Sequence, residues 1–175
     1  MKLCMIGTGY VGLVSGVCFS DLGHTVYCVD NNKAKIISLN NGKVPIYEPG
    51  LEEILKKNFK QKRLIFTTDL KYAVTNSDII FICVGTPTKK NGYSADLKYV
   101  FKVARELKKY IKKYKILITK STVPVTTGDK IENILKNLKK RKLVDVVSNP
   151  EFLREGEAIR DFIYPDRVIV GTSSS

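Results

Sequence analysis

The sequence predicts an α/β fold, a doubly wound and mostly parallel six- to seven-stranded sheet with helices on both faces. Two observations support this prediction. Short apolar runs alternate with segments of helical periodicity along the chain, which is typical of repeated βα units. The length of 175 residues and the hydrophobic fraction of 43% also suffice for a substantial core. We therefore expect a single domain over residues 1–175.

The apolar runs predict seven strands, and the helical patterns predict seven helices. Val100, Val103 and Leu107, for example, share one face of a helix with lysines opposite. We expect the strands near residues 2–6, 25–29, 64–67, 78–84, 115–119, 143–148 and 167–171, and the helices near residues 10–22, 32–41, 51–58, 70–76, 97–112, 126–140 and 155–160.

A glycine-rich turn follows the first predicted strand, with the spacing Gly7-x-Gly9-x-x-Gly12. Each glycine has a physical task in a dinucleotide-binding turn. Gly7 permits the tight turn from strand to helix, Gly9 lets the backbone approach a pyrophosphate, and Gly12 lets the helix pack on the strand. The N–H groups at the helix start, from Tyr10 and Val11 onward, then face the phosphates.

An acidic residue stands where this fingerprint requires one. Asp30 ends the second apolar run, about 20 residues after the turn, where a carboxylate can accept hydrogen bonds from a ribose diol. If the glycine-rich turn bound no ligand, the acid at this position would have no explanation. A carboxylate also repels a 2′-phosphate, so the sequence predicts a Rossmann-type domain that binds NAD rather than NADP.

Three later strands also end in polar residues, at the edge where open α/β sheets bind ligands. Their loops are residues 84–88, 120–124 and 148–156, and each contains a proline that ends the strand. We expect four side chains of these loops to share one crevice, namely the hydroxyls of Thr86 and Thr122 and the carboxylates of Glu151 and Glu155.

An insertion at residues 41–51 is longer than a crossover between the second and third strands needs. Its two prolines and two glycines predict a structured loop. Two interpretations stay open: the loop approaches the ligand, or it forms a surface lobe with a structural Tyr47.

The net charge of +13 raises the question of a polyanionic partner. No nucleic-acid motif and no stacking pattern of aromatic residues accompanies the lysines, so we favour solvated helix surfaces over a nucleic-acid surface. A basic surface can also attract an anionic nucleotide substrate. The residues concerned are Lys108, Lys109, Lys112, Lys113, Lys136, Lys139, Lys140, Arg141 and Lys142.

The remaining features predict a cytoplasmic protein without a membrane partner or a metal. Charges interrupt every apolar run well short of the roughly 20 residues that a membrane span needs. The fingerprint glycines break the first apolar stretch, unlike a signal peptide. The cysteines have no CxxC or metal-ligand spacing and are interpreted as small buried hydrophobes in a reducing compartment. They are Cys4, Cys18, Cys28 and Cys83.

Several motifs together resemble the UDP-glucose/GDP-mannose dehydrogenase family, over essentially the whole chain. They are GTGYVGLVSG, VPIYEPGLEEI, CVGTPT, KSTVPVTTGDK, NPEFLREGEAIRDF and PDRVIVG, and the VPIYEPGL and NPEFLREG forms are similar to the UDP-glucose branch. The resemblance implies an NAD-dependent oxidation of UDP-glucose to UDP-glucuronate, by two hydride transfers through a cysteine-bound intermediate. GDP-mannose and UDP-N-acetylmannosamine are the alternative substrates.

The resemblance also implies roles for individual residues. Catalytic roles are implied for Thr122, which holds a water, and for Glu151, an acid/base residue. Cofactor contacts are implied for Gly7, Gly9, Tyr10, Val11, Gly12, Asp30, Lys35, Thr86, Thr122 and Glu155. Substrate contacts are implied for Glu151, Phe152, Leu153, Arg154 and Glu155.

Members of this family are far longer, with a central dimerisation helix and a C-terminal UDP-sugar domain that carries the nucleophilic cysteine. We therefore expect this chain to be the NAD-binding domain alone, a monomer that binds NAD(H) without turnover, whereas the full-length family forms homodimers. One competing hypothesis is another dehydrogenase class, of the hydroxyacyl-CoA or phosphogluconate type, which KSTVPVTTGDK and NPEFLREG disfavour. Another is a basic nucleic-acid-binding module whose glycine fingerprint is incidental.

Overall fold

The computed structural model describes residues 1–89 and 92–173, and strands alternate with helices along them. The strands are β1 (Lys2–Ile6), β2 (Thr25–Val29), β3 (Leu64–Thr67), β4 (Ile79–Ile82), β5 (Lys115–Thr119), β6 (Val144–Ser148) and β7 (Gly171–Thr172). The helices are α1 (Tyr10–Asp21), α2 (Lys33–Asn40), α3 (Leu51–Lys60), α4 (Leu70–Thr75), α5 (Lys98–Tyr110), α6 (Thr127–Ile134), α7 (Lys136–Lys140) and α8 (Ala158–Ile163).

Within the described residues the seven strands form one sheet, in the order β3-β2-β1-β4-β5-β6-β7. β1 pairs in parallel with both β2 and β4, and only β7 runs antiparallel to its neighbour β6. The chain thus builds outward from β1 to β3 and then returns to the middle to build from β4 to β6. Open α/β sheets bind ligands where the strand order reverses in this way, beyond the carboxyl ends of the strands.

Two apolar cores, one on each face of the sheet, confirm the doubly wound prediction. On one face, Ile80 and Leu117 belong to a cluster with residues of α4, α5 and α6. On the other, Met5 and Phe81 belong to a cluster with residues of α1, α2, α3 and α8. Because both faces are covered, the central strands β1, β2 and β4 are buried along nearly their whole length rather than alternating.

The predicted strand at residues 167–171 is wrong. Only Gly171–Thr172 forms a strand, and it is antiparallel to β6. The run Val168, Ile169 and Val170 that suggested a buried strand stays 69%, 46% and 62% exposed. An apolar run alone does not show which element covers it.

Two predicted helices also differ from the structure. The predicted helix 126–140 is divided into α6 and α7, because the chain tightens at Leu135, whose carbonyl accepts the N–H of Leu138 at 2.8 Å. The predicted helix 155–160 instead begins at Ala158. Its start is delayed because Gly156 has a φ of 87°, in the left-handed region that a right-handed helix excludes.

The cysteines and the basic helix residues occupy the positions that the sequence predicts. All four cysteines are free and buried, as predicted, and burial raises the pKa values of Cys18 and Cys83 to about 12. Among the basic residues singled out above, all but Lys139 are exposed. In the described part of the chain, no helix has the length and apolar character to cross a membrane, and no His, Cys, Asp and Glu cluster suits a metal ion.

Candidate functional site

The glycine-rich turn joins β1 to α1 in a backbone that requires glycine at two positions. Gly7 has a φ of 101°, and a Cβ added there would lie 2.8 Å from the carbonyl oxygen of Cys83. A Cβ added at Gly12 would lie 1.9 Å from the carbonyl oxygen of Gly7. Real Cβ atoms do not approach backbone this closely, so the turn packs tightly against the end of β4.

The middle of the turn is open. Gly9 is exposed, and no heavy atom of the described residues lies within 4 Å of a Cβ added there. The first hydrogen bond of α1 runs from the N–H of Leu13 to the carbonyl of Gly9, at 2.9 Å. The N–H groups of Tyr10, Val11 and Gly12 precede this ladder, so they can bind an anion such as a pyrophosphate.

Asp30 follows β2 directly and is fixed beside this turn. Its Oδ2 accepts hydrogen bonds from the N–H and the hydroxyl of Thr8, at 3.0 and 2.8 Å, and from Lys35 Nζ at 3.3 Å. Its Oδ1 accepts the N–H of Asn32 at 3.0 Å. Oδ1 therefore has fewer protein donors than Oδ2, and it is the oxygen better able to accept a ribose hydroxyl.

The charge of Asp30 is set by the same contacts. Burial acts to raise its pKa, but the N–H groups of Asn32 and Thr8, the Thr8 hydroxyl and the Lys35 charge together lower the pKa below its ordinary value. The carboxylate is therefore ionised at neutral pH. Because its pKa is lowered on folding, its contribution to stability is present above the ordinary value of 3.8 and is lost as the pH falls below it.

The loops after β4 and β5 meet at the same edge of the sheet. The Thr86 hydroxyl donates to the carbonyl oxygen of Thr122 at 3.0 Å, and the Ser121 hydroxyl donates to that of Val84 at 2.7 Å. These bonds hold the two loops side by side. Thr122 itself is exposed.

The loop after β6 (residues 149–157) borders a cavity of about 550 Å³. Residues 151–154 line the cavity. Of the four side chains expected in one crevice only Glu151 lies in this lining, because Thr86, Thr122 and Glu155 are not part of it. The carboxylate of Glu151 accepts the N–H of Leu153 at 2.6 Å, which fixes the carboxylate against its own loop. Four of the five residues predicted to contact substrate therefore share one cavity.

Arg154 is engaged by two acids of the same region. Its Nη2 lies 2.7 Å from Asp161 Oδ1 and 2.8 Å from Glu157 Oε2, and its Nε donates to Asp161 Oδ2 at 3.1 Å. Such a two-pronged contact fixes the guanidinium plane. The pair of Arg154 and Asp161 joins the loop after β6 to α8. Arg154 is therefore already paired with acidic side chains when it contacts a ligand.

Replacing Arg154 with glutamine is expected to return the pKa of Asp161 from about 2 toward its ordinary 3.8. The hydrogen bonds from Arg154 are the largest cause of the lowered pKa. The stability that the pair supplies is present above pH 3.8 and is lost as the pH falls through about 2. Carboxyl NMR titration measures both values, with Asp21, which pairs with Lys57, as the unchanged control. An Asp161 that still titrates near pH 2 in the variant contradicts the assignment.

Sequence reasoning does not single out Lys120, a buried lysine in the lining of the same cavity. It is 8% exposed, and its Nζ donates to Asn149 Oδ1 at 3.3 Å. Burial lowers its pKa, while the negative charge of Glu151 acts to raise it. The available signal was a lysine placed directly after an apolar strand, at the ligand-binding edge of the sheet.

Sequence reasoning does not single out Glu48 either. In the insertion at residues 41–51, Tyr47 is 84% exposed, so a structural role for Tyr47 is wrong, and Glu48 is buried instead. Glu48 accepts hydrogen bonds from the Tyr10 hydroxyl and from the N–H of Gly156. The insertion thus contacts both the glycine-rich turn and the loop after β6.

An open turn, N–H groups free to bind an anion and a fixed carboxylate together fit a dinucleotide, and the comparison with known proteins agrees. Residues 1–175 match the NAD binding domain of the UDP-glucose/GDP-mannose dehydrogenase family. The chain belongs to this family. Membership confirms the predicted family and the predicted cofactor, NAD.

Relatives in this family are much longer than the chain. The UDP-glucose 6-dehydrogenase of Rhizobium meliloti is 53% identical over 175 residues, which are 100% of the chain and 40% of that protein. UDP-glucose 6-dehydrogenase TuaD of Bacillus subtilis is 50% identical over 174 residues, which are 99% of the chain and 38% of that protein. The chain thus spans about 40% of the length of these family members.

Solved structures confirm the fold. The GDP-mannose dehydrogenase of Pseudomonas aeruginosa, solved as a ternary complex, superposes with a TM-score of 0.92 at 41% identity, over 98% of this chain and 41% of that one. The UDP-glucose dehydrogenase of Pyrobaculum islandicum gives a TM-score of 0.92 at 40% identity, over 98% of this chain and 40% of that one. The roles of the individual site residues stay predictions.

Proposed function

We propose that the chain is the NAD-binding half of an NAD-dependent dehydrogenase that oxidises UDP-glucose to UDP-glucuronate. The main observation in favour of NAD binding is the ionised Asp30 carboxylate, which is fixed beside the open backbone of Gly9. The choice of UDP-glucose as the substrate is supported by the similarity to two UDP-glucose 6-dehydrogenases, at 53% and 50% identity. GDP-mannose and UDP-N-acetylmannosamine are alternatives, since dehydrogenases of these sugars share the fold at 41% and 29% identity.

The proposed cofactor contacts follow the geometry of the turn and of the neighbouring strand ends. Gly7 and Gly12 shape the turn, Gly9 leaves room for the pyrophosphate, and the N–H groups of Tyr10 and Val11 bind its oxygens. These residues would hold NAD, and the bound cofactor would supply the hydride acceptor for the oxidation at C6 of the sugar. The remaining proposed contacts are Asp30 and Lys35 at the adenosine ribose, and Thr86, Thr122 and Glu155 on the nicotinamide side.

The proposed substrate contacts are those of the loop after β6. Glu151 accepts the proton that leaves the C6 hydroxyl as the alcohol is oxidised, a role suited to a carboxylate in a cavity lining. The nucleotide sugar is contacted by Phe152, Leu153, Arg154 and Glu155. The Thr122 hydroxyl orients the water that hydrolyses the cysteine-bound intermediate, a thioester of the oxidised sugar carbon. The buried Lys120, whose Nζ donates to Asn149 Oδ1 at 3.3 Å, lines the same cavity as Glu151.

We propose that the reactive thiolate comes from outside residues 1–175. The nucleophile must be a thiolate, and burial raises the pKa values of all four cysteines in the chain. The central helix and the UDP-sugar domain of the family then also lie outside these residues, and the whole enzyme is a homodimer. Four free, buried cysteines are consistent with a cytoplasmic location.

Calorimetric titration with NADH tests the cofactor half of this proposal, with NADPH as the control. We expect saturable NADH binding and NADPH binding at least about tenfold weaker, because Asp30 repels the 2′-phosphate. Equal affinities, or no NADH binding by a chain shown to be folded by circular dichroism, contradict the proposal.

A longer chain with the second domain, assayed with the three nucleotide sugars, decides the substrate. We expect NADH formation chiefly with UDP-glucose.

A further inference from the structure

Glu48 is a buried acid in an exposed loop. It is 8% exposed, whereas its neighbour Tyr47 is 84% exposed and Pro49 is also at the surface. A carboxylate loses hydration energy when it is buried, so it is retained there only where hydrogen-bond donors replace the water. The position of Glu48 therefore depends on its donors.

Two regions far from Glu48 in the sequence supply those donors. Oε2 of Glu48 accepts the hydroxyl of Tyr10 and, at 2.9 Å, the N–H of Gly156. Oε1 accepts the N–H of Ile159 at 3.3 Å. Glu48 thus joins the start of α1, the loop after β6 and the first turn of α8.

The Tyr10 hydroxyl closes the same network. It also accepts the N–H of Gly156 at 2.9 Å and lies 3.4 Å from the carbonyl oxygen of Arg154. Burial and the bond to Glu48 raise the pKa of Tyr10 to about 12, so the hydroxyl keeps its proton at neutral pH. The hydrogen bond between the Tyr10 hydroxyl and the loop after β6 therefore joins neutral groups. The Glu48 carboxylate holds this hydroxyl in place as its hydrogen-bond acceptor.

We propose that Glu48 is a positioning residue, which fixes the loop after β6 at one distance from the glycine-rich turn through Tyr10 and Gly156. This inference rests on the proposed function, because it gives the two loops the roles of cofactor and substrate contacts. Hydride transfer requires the reacting groups to be held within a few tenths of an ångström, so the spacing of these loops matters for the chemistry.

Four variants test the proposal. Glu48→Gln keeps the shape of the side chain but replaces one accepting oxygen with a donor, and Tyr10→Phe removes only the hydroxyl. The third variant combines the two. Glu53→Gln is the matched control, since Glu53 is exposed on α3.

The first measurement is amide hydrogen exchange without cofactor. Glu48→Gln is expected to speed exchange about tenfold or more at Gly156 or Ile159, because one of these two amides then faces the new NH2 group in place of an accepting oxygen. Exchange in β4 and β5 stays unchanged, which separates a local effect from general destabilisation. Exchange at Gly156 and Ile159 equal to that of the parent overturns the proposal, as does an equal acceleration throughout the sheet.

The second measurement is the NADH dissociation constant. We expect Glu48→Gln and Tyr10→Phe each to raise it about three- to tenfold, and the double variant to be no weaker than the worse single one, because both changes break one network. Fully additive effects, or parental affinity in both single variants, overturn the proposal. If Glu48→Gln does not fold, Tyr10→Phe alone decides, through its NADH affinity and its exchange at Gly156.

The outcomes separate this proposal from the proposed function. A parent chain that binds NADH beside a Glu48→Gln variant of equal affinity overturns the positioning role alone. A folded parent chain that binds no NADH overturns the proposed function and, with it, the positioning role.

Discussion

Replacing Gly12 with alanine is expected to destabilise the chain by about 3 kcal/mol, at the upper end of the range for overpacking a tight site. The added Cβ would lie 1.9 Å from the carbonyl oxygen of Gly7 and 2.9 Å from Cys83 Cβ. Backbone cannot move aside as a flexible side chain can, so α1 must shift away from the end of β4. Urea denaturation measures the loss, and the melting temperature is expected to fall by roughly 6–12 °C.

Gly9→Ala is the matched control for this prediction, three residues away in the same turn. Within the part of the chain that the structure describes, a Cβ at Gly9 meets no heavy atom within 4 Å. The Gly9 backbone, with φ −69° and ψ −170°, is open to alanine. Stability is expected to change by no more than about 1 kcal/mol, the cost of alanine at a helix N-cap. NADH affinity is expected to fall at least about tenfold, because the methyl group occupies the space through which a pyrophosphate reaches the backbone. A Gly12→Ala chain as stable as the parent, or a Gly9→Ala chain that binds NADH normally, contradicts this account of the turn.

Most of the fold follows from local patterns. The alternation of apolar runs and helical segments predicted β1 to β6 to within two residues, because a strand buried on both faces is apolar throughout its length. The same criterion failed at residues 167–171, since Val168 to Val170 form an apolar run that the structure leaves exposed. Sequence pattern reports what a segment can bury, whereas burial depends on which other element packs against it.

The candidate site also contains residues that local sequence spacing predicts and residues that only the folded structure identifies. Gly7, Gly12 and Asp30 could be assigned from spacing, because the turn and the second strand are adjacent in the chain and their geometry is local. Glu48 could not, since its partners Gly156 and Ile159 lie 108 and 111 residues away. In the sequence it is one more acid in a loop with two prolines, and only the folded chain brings its donors together.

Replacing Asp30 with alanine is expected to weaken NADH binding by about 1–3 kcal/mol, the scale of hydrogen bonds to a charged group. That loss corresponds to roughly a 5- to 150-fold higher dissociation constant. Asp30→Asn separates charge from hydrogen bonding, because asparagine keeps one accepting oxygen near the ribose. We expect the asparagine variant to lose less NADH affinity than the alanine variant and to narrow the gap between NADH and NADPH, since the charge that repels the 2′-phosphate is gone. Calorimetric titration of the parent and both variants with both cofactors measures these effects.

Asp69→Ala is the control that distinguishes a ribose contact from the general loss of a carboxylate beside the sheet. Asp69 also follows a parallel strand, β3, and its side chain accepts the N–H of Tyr72 at 2.9 Å as the N-cap of α4. Its removal is expected to cost about 1 kcal/mol of stability and to leave NADH affinity unchanged, because β3 is the edge strand on the far side of β2. Equal NADH affinities for the parent and the Asp30 variants would remove Asp30 from the ribose site. A similar loss of NADH affinity in Asp69→Ala would instead show that the effect of the Asp30 variants comes from reduced stability and not from a lost contact with the ribose.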